Sequence, residues 1–193
     1  MKPITDLNTL VDYLEDLIQD AFLISPRNLR LSVLKENIRD VAQKIARLTS
    51  HISTITAVEC DDGIIELHYH FSLPRSNLKN LAGGQKNETS FFFGSETILV
   101  TIIAALSLKN LVIASIASIF PGAQFYEREI GEMFGIEIGG IPSSGNLLLA
   151  DDFPQGVHPL RKSTLLDVMI KEHEKTRAIR RQTPKNLGNK PRD

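Results

Sequence analysis

The chain has a single cysteine, Cys60, and no tryptophan among its 193 residues. One thiol excludes an internal disulfide framework, and it excludes a thiolate cage for an iron–sulfur cluster within this chain. Standing alone, it suits a reducing compartment and the role of a small buried hydrophobe. An excess of charge of either sign is also lacking: 22 Lys and Arg against 23 Asp and Glu leave -1 at neutral pH. Such a balance provides no global field for nucleic acid or an anionic membrane. Long apolar runs are missing as well. The most apolar stretch, residues 97–120, is interrupted by Lys109 and Asn110, so its uncharged parts fall short of the roughly 20 residues a membrane span needs. Its first half is rich in β-branched residues and suits a buried strand. The opening Met-Lys-Pro-Ile-Thr has neither the basic start nor the apolar run of a secretory signal. Without GxGxxG, Walker A, HExxH or a nucleophile elbow around Ser107, Ser115 or Ser118, nucleotide, zincin and serine-hydrolase chemistry have no support.

What is present is periodicity. Leu7, Leu10, Leu14, Leu17 and Ile18 with Val11 predict an amphipathic helix over about residues 6–20, capped by Thr5 or Asp6. Ser25-Pro26 breaks it, residues 29–34 alternate as a short strand, and Ile38, Val41, Ile45 and Leu48 place a second helix over 37–48. Residues 52–60 and 64–73, separated by Asp61-Asp62-Gly63, read as a hairpin. The polar, glycine-containing stretch 74–90 reads as a long loop, with strands at 91–93 and 98–106 after it. Ser115 is placed to cap a short helix that Pro121-Gly122 ends. A further helix follows over 125–134, with Gly135 where a C-terminal cap is wanted. The order of elements predicts one α+β domain with a mostly antiparallel sheet, N-terminal helices and an extended basic tail. The expected division is 1–36 as a helical segment, 37–163 as the α+β domain, and 164–193 as the basic extension. From Lys171 onward there are eight Lys or Arg against three acidic residues. With no interleaved aromatics beside a neutral domain, that tail suits wrapping a partner better than binding nucleic acid.

Glu66, His68 and His70 alternate along one predicted strand and so share a face. The spacing invites a metal, but a strand sets such side chains roughly 7 Å apart, and no cysteine or further histidine lies nearby in sequence. Polar-face histidines are the expectation.

The most individual stretch runs from Phe120 to Ser163. Within it stand Glu127-Arg128-Glu129, then Phe134-Gly135-Ile136, and later His158-Pro159-Leu160-Arg161-Lys162. In order and spacing these resemble the signature of the C-type subunit family of respiratory complex I, over roughly residues 37–163 and strongly only at the end. The chain departs from the usual pattern at Gly131-Glu132, where the respiratory enzymes have Tyr-Asp. It departs again at residues 140–144, and at Val157, which is an extra residue. In these details it is similar to the hydrogenase-associated branch, the subunits of energy-converting membrane-bound [NiFe] hydrogenases and formate hydrogenlyase-type complexes.

The resemblance implies a non-catalytic subunit on the cytoplasmic side, attached peripherally to the membrane through its complex. It implies docking onto a large hydrogenase-like (D-type) subunit and a small iron–sulfur (B-type) subunit, with a ferredoxin-like subunit as a further neighbour. No cofactor is expected in this chain; [4Fe-4S] clusters and NiFe would belong to those neighbours. The expected partner-facing residues are Glu127, Arg128, Glu129, Phe134, His158, Pro159, Leu160, Arg161 and Lys162. Glu127 to Glu129 are expected to begin a helix, near its positive dipole end. Arg128 and Glu132 are placed to pair at i, i+4, and residues 159–162 should form an extended strap with Arg161 offering a bidentate fork. Three rivals stay open: the C-type subunit of a quinone-reducing NADH dehydrogenase-like complex, a hydrolase using Glu127 or Glu129, and a nucleic-acid adaptor using the tail.

Overall fold

A computed structural model describes residues 5–81, 97–141, 145–151, 153–164, 170, 171, 174 and 175. The first helix, α1, spans Thr5–Leu14 and buries Leu7, Leu10 and Leu14. It is shorter than its apolar period suggests. A 3-10 turn over Glu15–Leu17 ends it, and the chain becomes strand β1, Ile18–Ser25. Leu17 and Ile18 therefore leave the helix, and residues 18–25 are strand within a segment that the pattern assigns to helices. β-branched and aromatic side chains in Ile18, Phe22 and Ile24 favour that outcome. Pro26-Arg27 then turns the chain into β2, Asn28–Val33, antiparallel to β1.

After a 3-10 turn over Lys35–Asn37, α2 spans Ile38–Ile45 and buries Ile38, Val41, Ala42 and Ile45. The predicted hairpin is β3, Ile52–Glu59, and β4, Ile64–Pro74, joined where Gly63 takes φ +79°. Cys60 lies at that turn and is only half-buried, so it is not the core hydrophobe its solitude suggests. The stretch that reads as a loop begins instead with α3, Arg75–Leu81; the expected strand at 91–93 lies outside the described residues. β5, Thr97–Ser107, is the central strand of a five-stranded sheet ordered β1-β2-β5-β4-β3. Only β2 and β5 run parallel; the other neighbours are antiparallel. The sheet thus takes in residues from the first 36, and the helical segment expected there is half strand.

Alternation decides which face is buried. On β4, Ile65, Leu67, Tyr69, Phe71 and Leu73 are at most 1 % exposed, while Glu66, His68, His70 and Ser72 between them are half-buried. Register carries the same inward face across β5 (Val100, Ile102, Ala104) to Leu29, Leu31 and Val33 on β2. The apolar stripes of α1 and α2 share one buried cluster with this face.

The second half of the domain is a compact crossover. β6, Val112–Ala114, leads through a turn to α4, Ala123–Phe134, and returns as β7, Glu137–Gly139, parallel to β6. The expected short helix after Ser115 is not formed. Ser115 instead accepts the Ala117 N–H at 3.0 Å, a hydroxyl-closed turn. Phe120, against Phe71 with ring centroids 5.1 Å apart, anchors the start of α4 on the main core.

Ile102 lies at the centre of β5 with no exposure. Ile102→Ala should cost about 2–5 kcal/mol through lost transfer energy and cavity formation, read as a fall in the urea midpoint at unchanged slope.

Candidate docking site

The distinctive residues meet around α4. Counting 100° per residue, Ala123, Glu127, Ile130 and Phe134 fall on one arc, and these four are buried. Phe125, Arg128, Glu129 and Glu132 fall on the opposite arc. Glu127 to Glu129 thus lie inside the helix and not at its start. Glu127, 1 % exposed, points into the chain. Its Oε2 accepts the Ser115 hydroxyl at 2.6 Å and its Oε1 the Ile116 N–H at 2.8 Å. The carboxylate ties the β6 turn to α4, so it offers no surface to a partner. Glu129 is exposed, and Arg128 donates to the Gly145 carbonyl at 3.4 Å.

Glu132 holds the next loop. Its carboxylate accepts the consecutive N–H groups of Leu147, Leu148 (2.9 Å) and Leu149 (3.2 Å). Such a row of amides is a small anion nest supplied by the chain itself.

The end of α4 is closed from behind. A helix leaves its last carbonyls without intrahelical partners. Here Gly131 O accepts the Gly135 N–H at 3.0 Å, and Glu132 O pairs with His158 Nδ1 at 2.9 Å. Met133 O accepts the Leu160 N–H at 3.1 Å, and Phe134 O accepts from Arg161 at 3.3 Å. Gly135 takes φ +71°, the left-handed cap that glycine adopts without strain. Its Cα is also packed against the His158 ring: a Cβ built there would lie 2.5 Å from Cδ2 and Nε2. Residues 158–164 are not an extended strap. Arg161 N–H to His158 O (3.1 Å) and Thr164 N–H to Arg161 O (2.9 Å) close two successive turns.

Arg161 is spent within the chain. Its Nε lies 3.5 Å from Glu59 Oε2, close enough for ionic attraction but without a hydrogen bond, and both side chains are largely buried. The same Glu59 oxygen accepts the Lys162 N–H at 2.7 Å. Lys162 Nζ meets Asp61 at 2.5 Å in an exposed pair, which water screens. What the turns leave outside is Leu160, 56 % exposed; Leu148 (58 %) and Phe125 (61 %) are exposed as well.

Two of the three carboxylates on α4, Glu127 and Glu132, have opposite electrostatics. Burial raises the Glu127 carboxyl above its ordinary value, against the pull of Ser115, the Ile116 N–H and Arg39. Partial burial works the same way on Glu132, but its three N–H donors and the positive charge of Arg128 outweigh it and hold that group low. Sequence reasoning missed Glu132 as a site residue and named only its pairing with Arg128. The signal was available, since by the resemblance Glu132 stands at the position of the Asp in the Tyr-Asp pair.

On the outer sheet face, His70 bridges Thr101 (3.1 Å) and Thr56 (3.2 Å), while His68 meets Glu66 at 3.0 Å. These ring nitrogens are engaged within the sheet. Among the described residues no group of three or more His, Cys, Asp or Glu could hold a metal ion. Nor is any described helix long and apolar enough to cross a membrane.

The distinctive residues thus knit α4 to the turns that return to it. Residues 31–168 match the family model described as respiratory-chain NADH dehydrogenase, 30 Kd subunit, and the chain belongs to that family. It is 44% identical over 52 residues to the membrane-bound hydrogenase subunit beta of Pyrococcus furiosus, covering 27% of this chain and 30% of the relative. It is 31% identical over 114 residues to the C-type subunit of the NADH-quinone oxidoreductase of Bartonella henselae, covering 58% and 45%. The chain therefore spans less than half the length of these curated relatives. In fold it is similar to a chain of the membrane-bound sulfane sulfur reductase, an archaeal respiratory membrane complex, with TM-score 0.67 at 20% identity, covering 97% and 95%.

Gly135→Ala should lose at least about 1–2 kcal/mol from the left-handed backbone alone, and more from overlap with the His158 ring; thermal melting measures it. The carboxylates give a signed pH test. With its pKa raised by folding, Glu127 stabilises fully below the unfolded value of about 4.3 and loses that contribution as pH rises through the raised value. Glu132, with its pKa lowered, stabilises above about 4.3 and loses its contribution as pH falls through the lowered value. Urea midpoints across pH should show E127Q gaining on the native chain as pH rises, and E132Q falling behind it.

Proposed function

We propose that this chain is a non-catalytic docking subunit of a membrane-bound electron-transfer complex of the energy-converting hydrogenase kind. In this reading it sits on the cytoplasmic side and grips a large hydrogenase-like subunit and a small iron–sulfur subunit, with a ferredoxin-like subunit within reach. The [4Fe-4S] clusters and NiFe centre belong to those neighbours. The supporting observation is the outward flank of α4. Leu148 and Leu160, both more than half exposed, are anchored through their N–H groups to Glu132 and to Met133 O at the C-terminal half of α4. Arg128 and Glu129 lie on the outward arc of the same helix, with exposed Phe125 nearer its start. Exposed apolar groups beside charged ones are the make-up of a protein interface. In this reading Glu127, Phe134, His158 and Arg161 hold that flank in shape from inside. The basic residues beyond 164 would add a second hold.

The match to the Pyrococcus furiosus hydrogenase subunit favours the hydrogenase branch. The longer match to the Bartonella henselae subunit keeps a quinone-reducing complex as the second reading.

The test is purification of the tagged full chain from host membranes in mild detergent. Leu160→Asp and Glu129→Lys change exposed side chains and should leave the melting temperature nearly unchanged, since such sites alter stability by about 0.5 kcal/mol or less. Each should reduce co-purification of the hydrogenase-like and iron–sulfur subunits about tenfold or more, a loss of roughly 1.4 kcal/mol. Full retention of both variants, or stoichiometric iron or nickel in the isolated chain, would overturn the reading.

A further inference from the structure

The two edges of the main sheet are unlike. Along β3 the chain covers its own edge: the Tyr126 hydroxyl donates to Ser53 O at 3.1 Å, and Glu59 is held by Arg161 and Lys162. Among the described residues nothing pairs with the other edge, β1, beyond β2. Every residue from Gln19 to Ser25 is exposed, and three consecutive ones are large and apolar: Phe22 at 54 %, Leu23 at 43 % and Ile24 at 53 %. Phe22 pairs with Arg30 on the outer sheet face and Leu23 with Leu29 on the inner one, so the edge is apolar on both sides. Edge strands are ordinarily blunted by lysine, proline or a bulge in mid-strand. β1 holds neither lysine nor proline, and its register irregularities fall toward its ends, leaving Asp20–Leu23 in unbroken pairing with β2.

We infer that β1 is a docking edge that accepts an extended segment of a neighbouring subunit as a sixth strand, resting on the docking reading above. Strand addition supplies main-chain hydrogen bonds, and the side chains on each face select the sequence added. Here selection has a sign. Arg27 at the hairpin tip and Arg30 beside Phe22 are exposed, and among the described residues neither takes part in an ion pair. The added segment therefore has an apolar centre with acidic side chains toward the hairpin tip. A second copy of this chain fits poorly. Two-fold antiparallel pairing centred on Phe22 sets each Asp20 against the other copy's Ile24; centred on Leu23, it sets Asp20 against Pro26, which has no N–H to give.

Amide hydrogen exchange on the native complex and on the purified full chain tests this directly. Amides within residues 20–24 should exchange at least tenfold more slowly in the complex. Leu23→Asp should lower retention of the chain in the complex about tenfold at unchanged melting temperature. R27E with R30E should weaken retention and flatten its dependence on salt. A chain that enters the complex with β1 amides exchanging as fast as in isolation overturns this inference and leaves the docking reading intact. Protection arising from self-association of the isolated chain, seen as a doubled mass, also overturns it. A chain that enters no complex overturns both.

Discussion

The end of α4 governs the second half of this molecule. Four carbonyls emerge there with no helical partner, in a part of the domain where leaving them bare would be costly. Each is met by a group from a different position: Gly135 N–H, His158 Nδ1, Leu160 N–H and Arg161. Arg161 adds a positive charge at the negative end of the helix dipole. Because three of these donors come from residues more than twenty positions downstream, the helix and the returning turns form as one unit. The ion pair to Glu59 then fastens that unit to β3.

Glu127 and Glu132 on α4 divide the remaining work. Glu127 is turned inward and fixes where β6 hands the chain to the helix, through one hydroxyl and one amide. Glu132 is turned outward and gathers the loop at 147–149 over the helix. Side chains five residues apart on one helix point to opposite sides. One motif therefore organises both the interior and the exposed flank on which Leu148 and Leu160 stand.

Much of this was legible in the amino-acid pattern. The α2 stripe, the hairpin around Gly63, the central strand β5 and the glycine cap at Gly135 all follow from period and turn chemistry. The α+β class follows from the order of the elements, and the family from the order of Glu127-Arg128-Glu129 and His158-Pro159-Leu160-Arg161-Lys162. What escaped had physical causes. Leu17 and Ile18 continue the helical period of α1 by coincidence, because the apolar start of a strand can sit in phase with the helix before it. Ser115 carries the side chain of a helix cap, yet its hydroxyl closes a turn and serves Glu127 instead. The inward turn of Glu127 and the internal use of Arg161 could not be read from spacing, since a charged residue in a recurrent motif looks the same whether it faces a neighbouring protein or its own chain.

Between the Glu132 grip on residues 147–149 and the pinning of His158 onto the tail of α4, the chain is a short tether held at both ends. Closing such a loop costs entropy that grows only logarithmically with its length, about 0.6 kcal/mol per doubling. Evolution can therefore lengthen or trim it without disturbing what lies at either anchor. Val157, the extra residue that the family resemblance implies, stands immediately before His158 in that tether, and the anchor is in place. Related chains that fit different neighbours could diverge in this tether while keeping the same closure of the helix.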